Sequence, residues 1–244
     1  MIQACLNGRR TRAEHPGIPL TPEDLAREGK AAVEAGARSL HVHPRDAGGG
    51  ETLDAEPRAA VLRALRAACP GIEIGVTTGI WIAGDAARRL ELVAGWQVWP
   101  DVASVNIVEP GAVELIDLLV RRGVGIELGV ATAADTRKAL EAGVTGRCKR
   151  LLVEVEGEAS ETMIELAAIE SLLADGGVRL PRLDHGYARA TYAVIDRAAR
   201  LGHDYRVGFE DTLILPDGRP ARSYAELVTA CRARTEGPSA PESR

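Results

Sequence analysis

Apolar and polar positions along this chain follow two recurring periods. Short runs that alternate, or that are apolar throughout and rich in Val, Ile and Leu, read as strands over residues 2–6, 39–43, 72–77, 102–106, 125–130, 150–155, 182–185 and 205–209. Apolar residues at helical spacing follow each of them, predicting helices over 21–35, 55–68, 85–94, 111–122, 133–142, 161–174, 189–201 and 223–234. The ends carry the expected punctuation. Thr21-Pro22-Glu23-Asp24 supplies a cap, a proline at the first position and acids in the first turn. Gly36, Gly123, Gly143 and Gly202 stop helices, and Ser223-Tyr224-Ala225-Glu226 matches a capping box. Strand–helix pairs repeated eight times predict a single (β/α)8 barrel over residues 1–234. A doubly wound open sheet would carry a glycine-rich phosphate loop after its first strand, and Asn7-Gly8-Arg9-Arg10 is not one. The last stretch, 235–244, is Gly, Pro, Ser and charge, and reads as a disordered tail.

Composition narrows the class. At 244 residues and 45% hydrophobic the chain has enough apolar material for one large core, and with one Phe that core must be Val, Leu, Ile and Ala. A net charge of −5 without a basic run argues against nucleic acid. Cys5, Cys69, Cys148 and Cys231 are scattered, as reduced thiols in a cytoplasm are. No leader-like segment opens the sequence, and no run nears the roughly 18 apolar residues of a membrane span, so a soluble cytoplasmic protein is expected.

Barrel enzymes react where strands end. The side chains there are Asn7, His41, His43, Arg45, Thr77, Thr78, Ser104, Asn106, Glu127, Glu154, Glu156, His185, Glu210 and Asp211, a set dominated by acids and imidazoles. In His41-Val42-His43-Pro44-Arg45-Asp46 the two histidines are two apart and share a strand face. Neutral imidazole suits zinc and similar metals; the competing reading is a hydrogen-bonded, half-buried pair. Arg206, Gly208 and Glu210 share a face of the last strand, and with that face inward Glu210 completes a His/His/Glu set with a position open to substrate. Otherwise Glu210 and Asp211 are capping or loop carboxylates. Arg206, deeper in the barrel, needs an anion, for which Glu127 is the best candidate; the plainer reading of that pair is a structural salt bridge.

The chain resembles the β-keto acid cleavage enzymes. The likeness spans about residues 3–230 and rests on an ordered set: Thr11-Arg12-Ala13-Glu14-His15-Pro16, Pro19-Leu20-Thr21-Pro22, Ala35-Gly36-Ala37 before the His41 motif, Thr78-Gly79, Ala103-Ser104-Val105-Asn106 and Gly208-Phe209-Glu210-Asp211. The resemblance implies a zinc-containing, homo-oligomeric (β/α)8 barrel that exchanges the acyl part of a β-keto acid with acetyl-CoA, releasing acetoacetate and a new CoA thioester. It implies that His41, His43 and Glu210 hold the metal. It implies that Asp211 is the base, oriented through Arg206 and Glu127, and that Thr77, Gly79, Ser104 and Asn106 line the substrate pocket.

Some positions depart from that pattern. Family members with an acid in the loop after the first strand direct it at a substrate amine; here the loop reads Gly8-Arg9-Arg10-Thr11. Arg10 facing the site would favour a carboxylate or an uncharged chain, whereas both arginines facing solvent would leave specificity alone. The loop after the sixth strand is short, and Asp184-His185-Gly186 places an extra imidazole at the mouth with no role assigned. Two alternatives stay open: another metal-dependent carbon–carbon lyase or hydrolase on this barrel, and a non-catalytic metal- or ligand-binding barrel. Lys30, Lys138 and Lys149 all lie away from strand ends, which argues against a Schiff-base aldolase.

Overall fold

The computed structural model describes residues 1–236. Eight parallel strands close into a barrel in sequence order: β1 Ile2–Cys5, β2 Ser39–Val42, β3 Glu73–Thr77, β4 Val102–Asn106, β5 Gly125–Val130, β6 Arg150–Val155, β7 Arg182–Gly186 and β8 Asp204–Val207. Helices α1 Pro22–Glu34, α2 Ala55–Ala68, α3 Ile80–Ala83, α4 Ala86–Ala94, α5 Ala112–Arg121, α6 Ala133–Glu141, α7 Ala159–Asp175, α8 Thr191–Leu201 and α9 Tyr224–Glu236 connect and cover them. The expected single barrel is therefore the fold. The one-turn α3 is additional, and β8 stops at Val207, leaving Glu210 and Asp211 in the turn beyond it. Thr235 and Glu236 continue α9, and the rest of the expected tail lies outside the described residues. Thr21 Oγ1 accepts the Asp24 amide at 3.1 Å, as a cap does. At α9 the Ser223 hydroxyl accepts the Glu226 amide, but the Glu226 carboxylate takes the Arg222 amide instead of closing a box; a reciprocal box caps α6, between Thr132 and Asp135.

Alternation along each strand separates two environments. Outward positions such as Leu40 pack on the helices: a Cβ at Gly29 of α1 would lie 3.0 Å from both Leu40 and Leu65, so glycine lets α1 close on the sheet. Inward positions build a polar floor. Gln3 donates to Ser39 (3.0 Å) and Glu127 (2.7 Å), Ser39 donates to Glu73 (3.0 Å), and Arg150 Nε donates to Glu127 (2.9 Å). Above that floor lie the groups at the mouth.

Candidate active site

The site is built from the β1 loop, the end of β2 and the turn after β8. Asn7, fully buried, brackets the backbone of His43: its Oδ1 accepts the His43 amide at 2.8 Å and its Nδ2 donates to the His43 carbonyl at 2.7 Å. Gly8 has φ +53, and a Cβ there would fall 2.4 Å from Glu210 Cγ, so glycine lets the loop lie against Glu210. Arg45 pins the same loop by donating to the carbonyls of Gly8 and Arg10. The result brings His41, His43 and Glu210 together, each with one ligand atom, all within 4.8 Å of one another.

A carboxylate lies beside Nδ1 of each imidazole. For His43 the backing group is Glu51, 2.5 Å from Nδ1, with Glu210 Oε1 3.7 Å from Nε2. Glu51 in turn accepts the Trp81 indole N–H at 3.1 Å. For His41 it is Glu127, whose Oε2 lies 4.0 Å from Nδ1, beyond hydrogen-bond reach; neither atom has a hydrogen bond among the described residues. Carboxylate–imidazole pairs of this kind fix ring orientation and raise ligand basicity around metals. Burial, then the Arg206 charge, holds the His41 ring well below the ordinary imidazole range, so it is neutral and ready to ligate. Burial also pushes His43 down, but Glu210 and Glu51 outweigh it, so His43 sheds a proton when it ligates. Burial pushes Glu210 up, and Arg206 with His43 overcomes this and keeps it anionic. Glu210 Oε2 is buried without a partner among the described residues, which fits an acceptor awaiting a cation. A second cluster, Cys5–Glu210–Asp211, fits a metal less well, because burial raises the Cys5 thiol far above its ordinary range and a thiol must ionise to ligate.

These groups open into a cavity of about 510 Å³. Thr77, Gly79, Ser104, Asn106 and Arg10 line it with His41, His43 and Glu210, so the structure gathers all of these expected positions in one place. Trp81 joins them, and a Cβ at Gly79 would run into its ring. The paired arginines separate: Arg10 Nη1 bonds Glu14 at 2.9 Å, whereas the Arg9 guanidinium lies 5.4 Å over the Trp81 ring with no ion pair among the described residues. The opposite wall is acidic, with Glu154 and Glu156, and Tyr187 stands beside them.

The remaining expected trio is arranged differently from the sequence reading. Arg206 does not pair with Glu127. Its guanidinium bonds Cys5 Sγ (2.8 Å), Glu154 (3.3 Å) and Glu210 (3.3 Å), while Glu127 is held by Arg150 from the adjoining strand. Nor does Arg206 hydrogen-bond Asp211. The carboxylate of Asp211 bonds His185 Nε2, both residues are fully buried, and Nδ1 of the same ring lies 3.3 Å from Glu154. Burial pushes Asp211 up against the pull of His185. Burial pushes His185 down, but Asp211 outweighs it and carries the ring up to about 9. Glu51, Trp81, Tyr187 and the His185–Asp211 contact are what sequence reasoning missed. The only sequence signal among them was the unassigned imidazole of Asp184-His185-Gly186.

The chain is 26% identical to the 3-keto-5-aminohexanoate cleavage enzyme of Acetoanaerobium sticklandii, over 93% of this chain and 88% of that one. It is 32% identical to the 3-oxoadipate:acetyl-CoA acetyltransferase of Cupriavidus necator over 43% of this chain and 36% of the relative. Among solved structures it resembles apo ObcA, with TM-score 0.70 and 18% identity, covering 90% of this chain but only 62% of that one; at this identity the likeness is one of fold. The model of the β-keto acid cleavage enzyme matches residues 1–238, and the chain, an enzyme of carbon–carbon cleavage, belongs to that family.

Proposed function

We propose that the protein exchanges the acyl part of a β-keto acid with acetyl-CoA, giving acetoacetate and a new acyl-CoA. The observation that carries this reading is the cavity lined by three converging donors, His41, His43 and Glu210, and by the carboxylates of Glu154 and Glu156. The names of the relatives from Acetoanaerobium sticklandii and Cupriavidus necator support the substrate pair. The bond between the keto carbon and the neighbouring methylene breaks. The methylene carbon bonds to the acetyl carbonyl carbon, and the CoA sulfur moves to the departing acyl group. One methylene proton leaves and later returns, and nothing is oxidised or reduced. A divalent metal, zinc by the fit of its N,N,O donors, would be held by His41, His43 and Glu210 and would supply Lewis-acid stabilisation of charge on the substrate carbonyl. Glu51 and Glu127 orient the two imidazoles, and Arg206 keeps Glu210 anionic. Asp211 serves proton transfer from beneath the site. Thr77, Ser104 and Asn106 contribute polar contacts to the bound acid. Four free cysteines support a reducing, cytoplasmic setting, no helix among the described residues is long and apolar enough to cross a membrane, and the family resemblance supports a homo-oligomer.

The test is a panel of β-keto acids with acetyl-CoA, with CoA-ester formation read by mass. Dicarboxylic or uncharged keto acids are expected to outperform amino-substituted ones in kcat/KM, because Arg9 and Arg10 flank one side of the mouth. Arg9→Glu and Arg10→Glu should each lower that preference. Glu156 on the facing wall favours the second reading, a cationic chain; an amino acid-type substrate ranked first, with the order unmoved by either variant, would select it. Separately, Glu51→Gln should weaken metal affinity by roughly 10–100-fold while the protein stays folded, since it replaces the charged acceptor that fixes His43 with a neutral amide. Competition against a chelator of known affinity measures this, and an unchanged constant would remove Glu51 from the metal site.

A further inference from the structure

A second cavity, of about 520 Å³, lies between the loop after β7 and the segment that follows β8. Arg10 lines this cavity and the first alike, so the two meet at that residue. Asp211, the group given proton transfer above, lines the second cavity and not the first. Most of the remaining lining is apolar, from Leu213 to Pro216. The walls are held in shape. Ala188 takes φ +48, in the left-handed region, and its amide donates to the Asp211 carbonyl at 2.9 Å. A residue other than glycine stays there only where its surroundings hold it. Residues 214–220 fold back on themselves: Ile214 bridges Pro220, and the Leu215 amide donates to the Arg219 carbonyl at 2.7 Å. The Tyr192 hydroxyl ties this fold to α8 by donating to the Ile214 carbonyl. Two cations belong to the lining. Arg10 Nε is buried with no hydrogen bond among the described residues. The Arg189 side chain is 80% exposed, and its ion pair is with Glu158, itself well exposed.

We infer, resting on the acyl-exchange reading, that this second cavity takes the pantetheine arm of the CoA thioester, with the thioester end at Arg10 and the phosphates at Arg189. The arm is a long, largely apolar chain interrupted by two amides. An apolar lining with a few placed polar groups suits such a ligand. The unpartnered Arg10 Nε supplies a donor for one of its carbonyls. Charge sets the direction in which the arm leaves. Glu154 and Glu156 wall the first cavity on the β6 side and repel phosphates, whereas Arg10 and Arg189 mark the way out past β7 and β8. The keto acid then occupies the first cavity, the acetyl group enters from the second, and the new carbon–carbon bond forms where the two meet. The exposed Arg189–Glu158 pair gives way to a phosphate at little cost, because a surface pair of this kind contributes little to stability.

The experiment separates the arm from the reacting end. Ile214→Trp narrows the second cavity and Arg189→Glu reverses the charge at Arg189; both residues are substantially exposed, so neither change disturbs the core. The double variant is assayed with the keto acid that ranks first in the panel above and with two acetyl donors. One is acetyl-CoA. The other is the acetyl thioester of N-acetylcysteamine, which keeps the reacting end and lacks the phosphates and most of the arm. KM for acetyl-CoA is expected to rise at least about 10-fold, with KM for the keto acid and kcat/KM for the short donor as in wild type. The dissociation constant of CoA alone, read by calorimetry, should rise by a similar factor. An unchanged KM for acetyl-CoA overturns the assignment. An equal loss with the short donor overturns it too, because the variant then acts on the reacting end. A wild type that binds CoA but forms no ester sinks the acyl-exchange reading alone, and the cavity is then judged by CoA binding. Ester formation with CoA binding unmoved in the double variant sinks the cavity alone. A wild type that neither binds CoA nor reacts overturns both.

Discussion

The His41→Ala/His43→Ala double variant is expected to lose bound metal and at least about 10³-fold of its turnover, because a Lewis acid at such a centre contributes several kcal/mol. Two of three donors disappear, and Glu210 alone cannot retain a tetrahedral ion. The fold should survive. Both histidines face the cavity, so their loss leaves no gap in the aliphatic layer under the helices. The cost is the Glu51 carboxylate left without His43, about 1–3 kcal/mol for a buried acceptor deprived of its partner. Metal per chain by elemental analysis and a cooperative thermal transition check the two halves. Metal content equal to wild type would refute the ligand set.

Arg206→Met should be the most destabilising single change at the site. The guanidinium is 1% exposed and stands between two carboxylates, Glu154 and Glu210, that are themselves largely buried. Removing it takes the guanidinium from both anions, leaving Glu154 with His185 and Tyr187 and Glu210 with His43, and breaking a buried pair typically costs about 3–5 kcal/mol. At roughly 2–4 °C per kcal/mol for a chain of this size, Tm should fall by roughly 6–20 °C. Added divalent metal should recover part of the loss, because it compensates Glu210 but not Glu154. A metal-free Arg206→Met variant that melts with wild type would show that this cluster tolerates the missing cation.

The barrel was legible because its strands are coherent on both faces. β4, β5 and β6 fall where period two places them, since Val105, Ile126, Leu128, Leu151 and Val153 leave no competing period. α3 was not legible: Ile80–Ala83 is a single turn between Gly79 and Gly84, too short for helical spacing to show. At the site, residues on one strand face were readable and residues meeting across strands were not. Alternation sets His41 beside His43, but it cannot say which cation reaches Glu127. Arg150, its neighbour in register on β6, takes that place ahead of Arg206. Glu51 was hidden for a related reason. It follows a glycine-rich loop and comes beside His43 only because the chain folds back in an isolated bridge to Arg45. His185 lies near the end of β7 and Asp211 in the turn beyond β8, and their contact exists only once those two strands have paired.

Of the proposed ligands, His41 lies on β2, His43 directly follows it, Glu210 comes from beyond β8, and β1 lies between, paired with both strands. The proposed metal site therefore straddles the seam where the last strand meets the first. Before closure the donor atoms belong to distant parts of an open chain, and the loop entropy of bringing them together must be met by strand pairing. Once the seam is shut, a bound ion would work as a clasp. It would hold the two ends of the sheet together and slow opening at β1–β8 without touching the strands elsewhere. Amide hydrogens along this seam would thus report on occupancy of a site with which they share no atom.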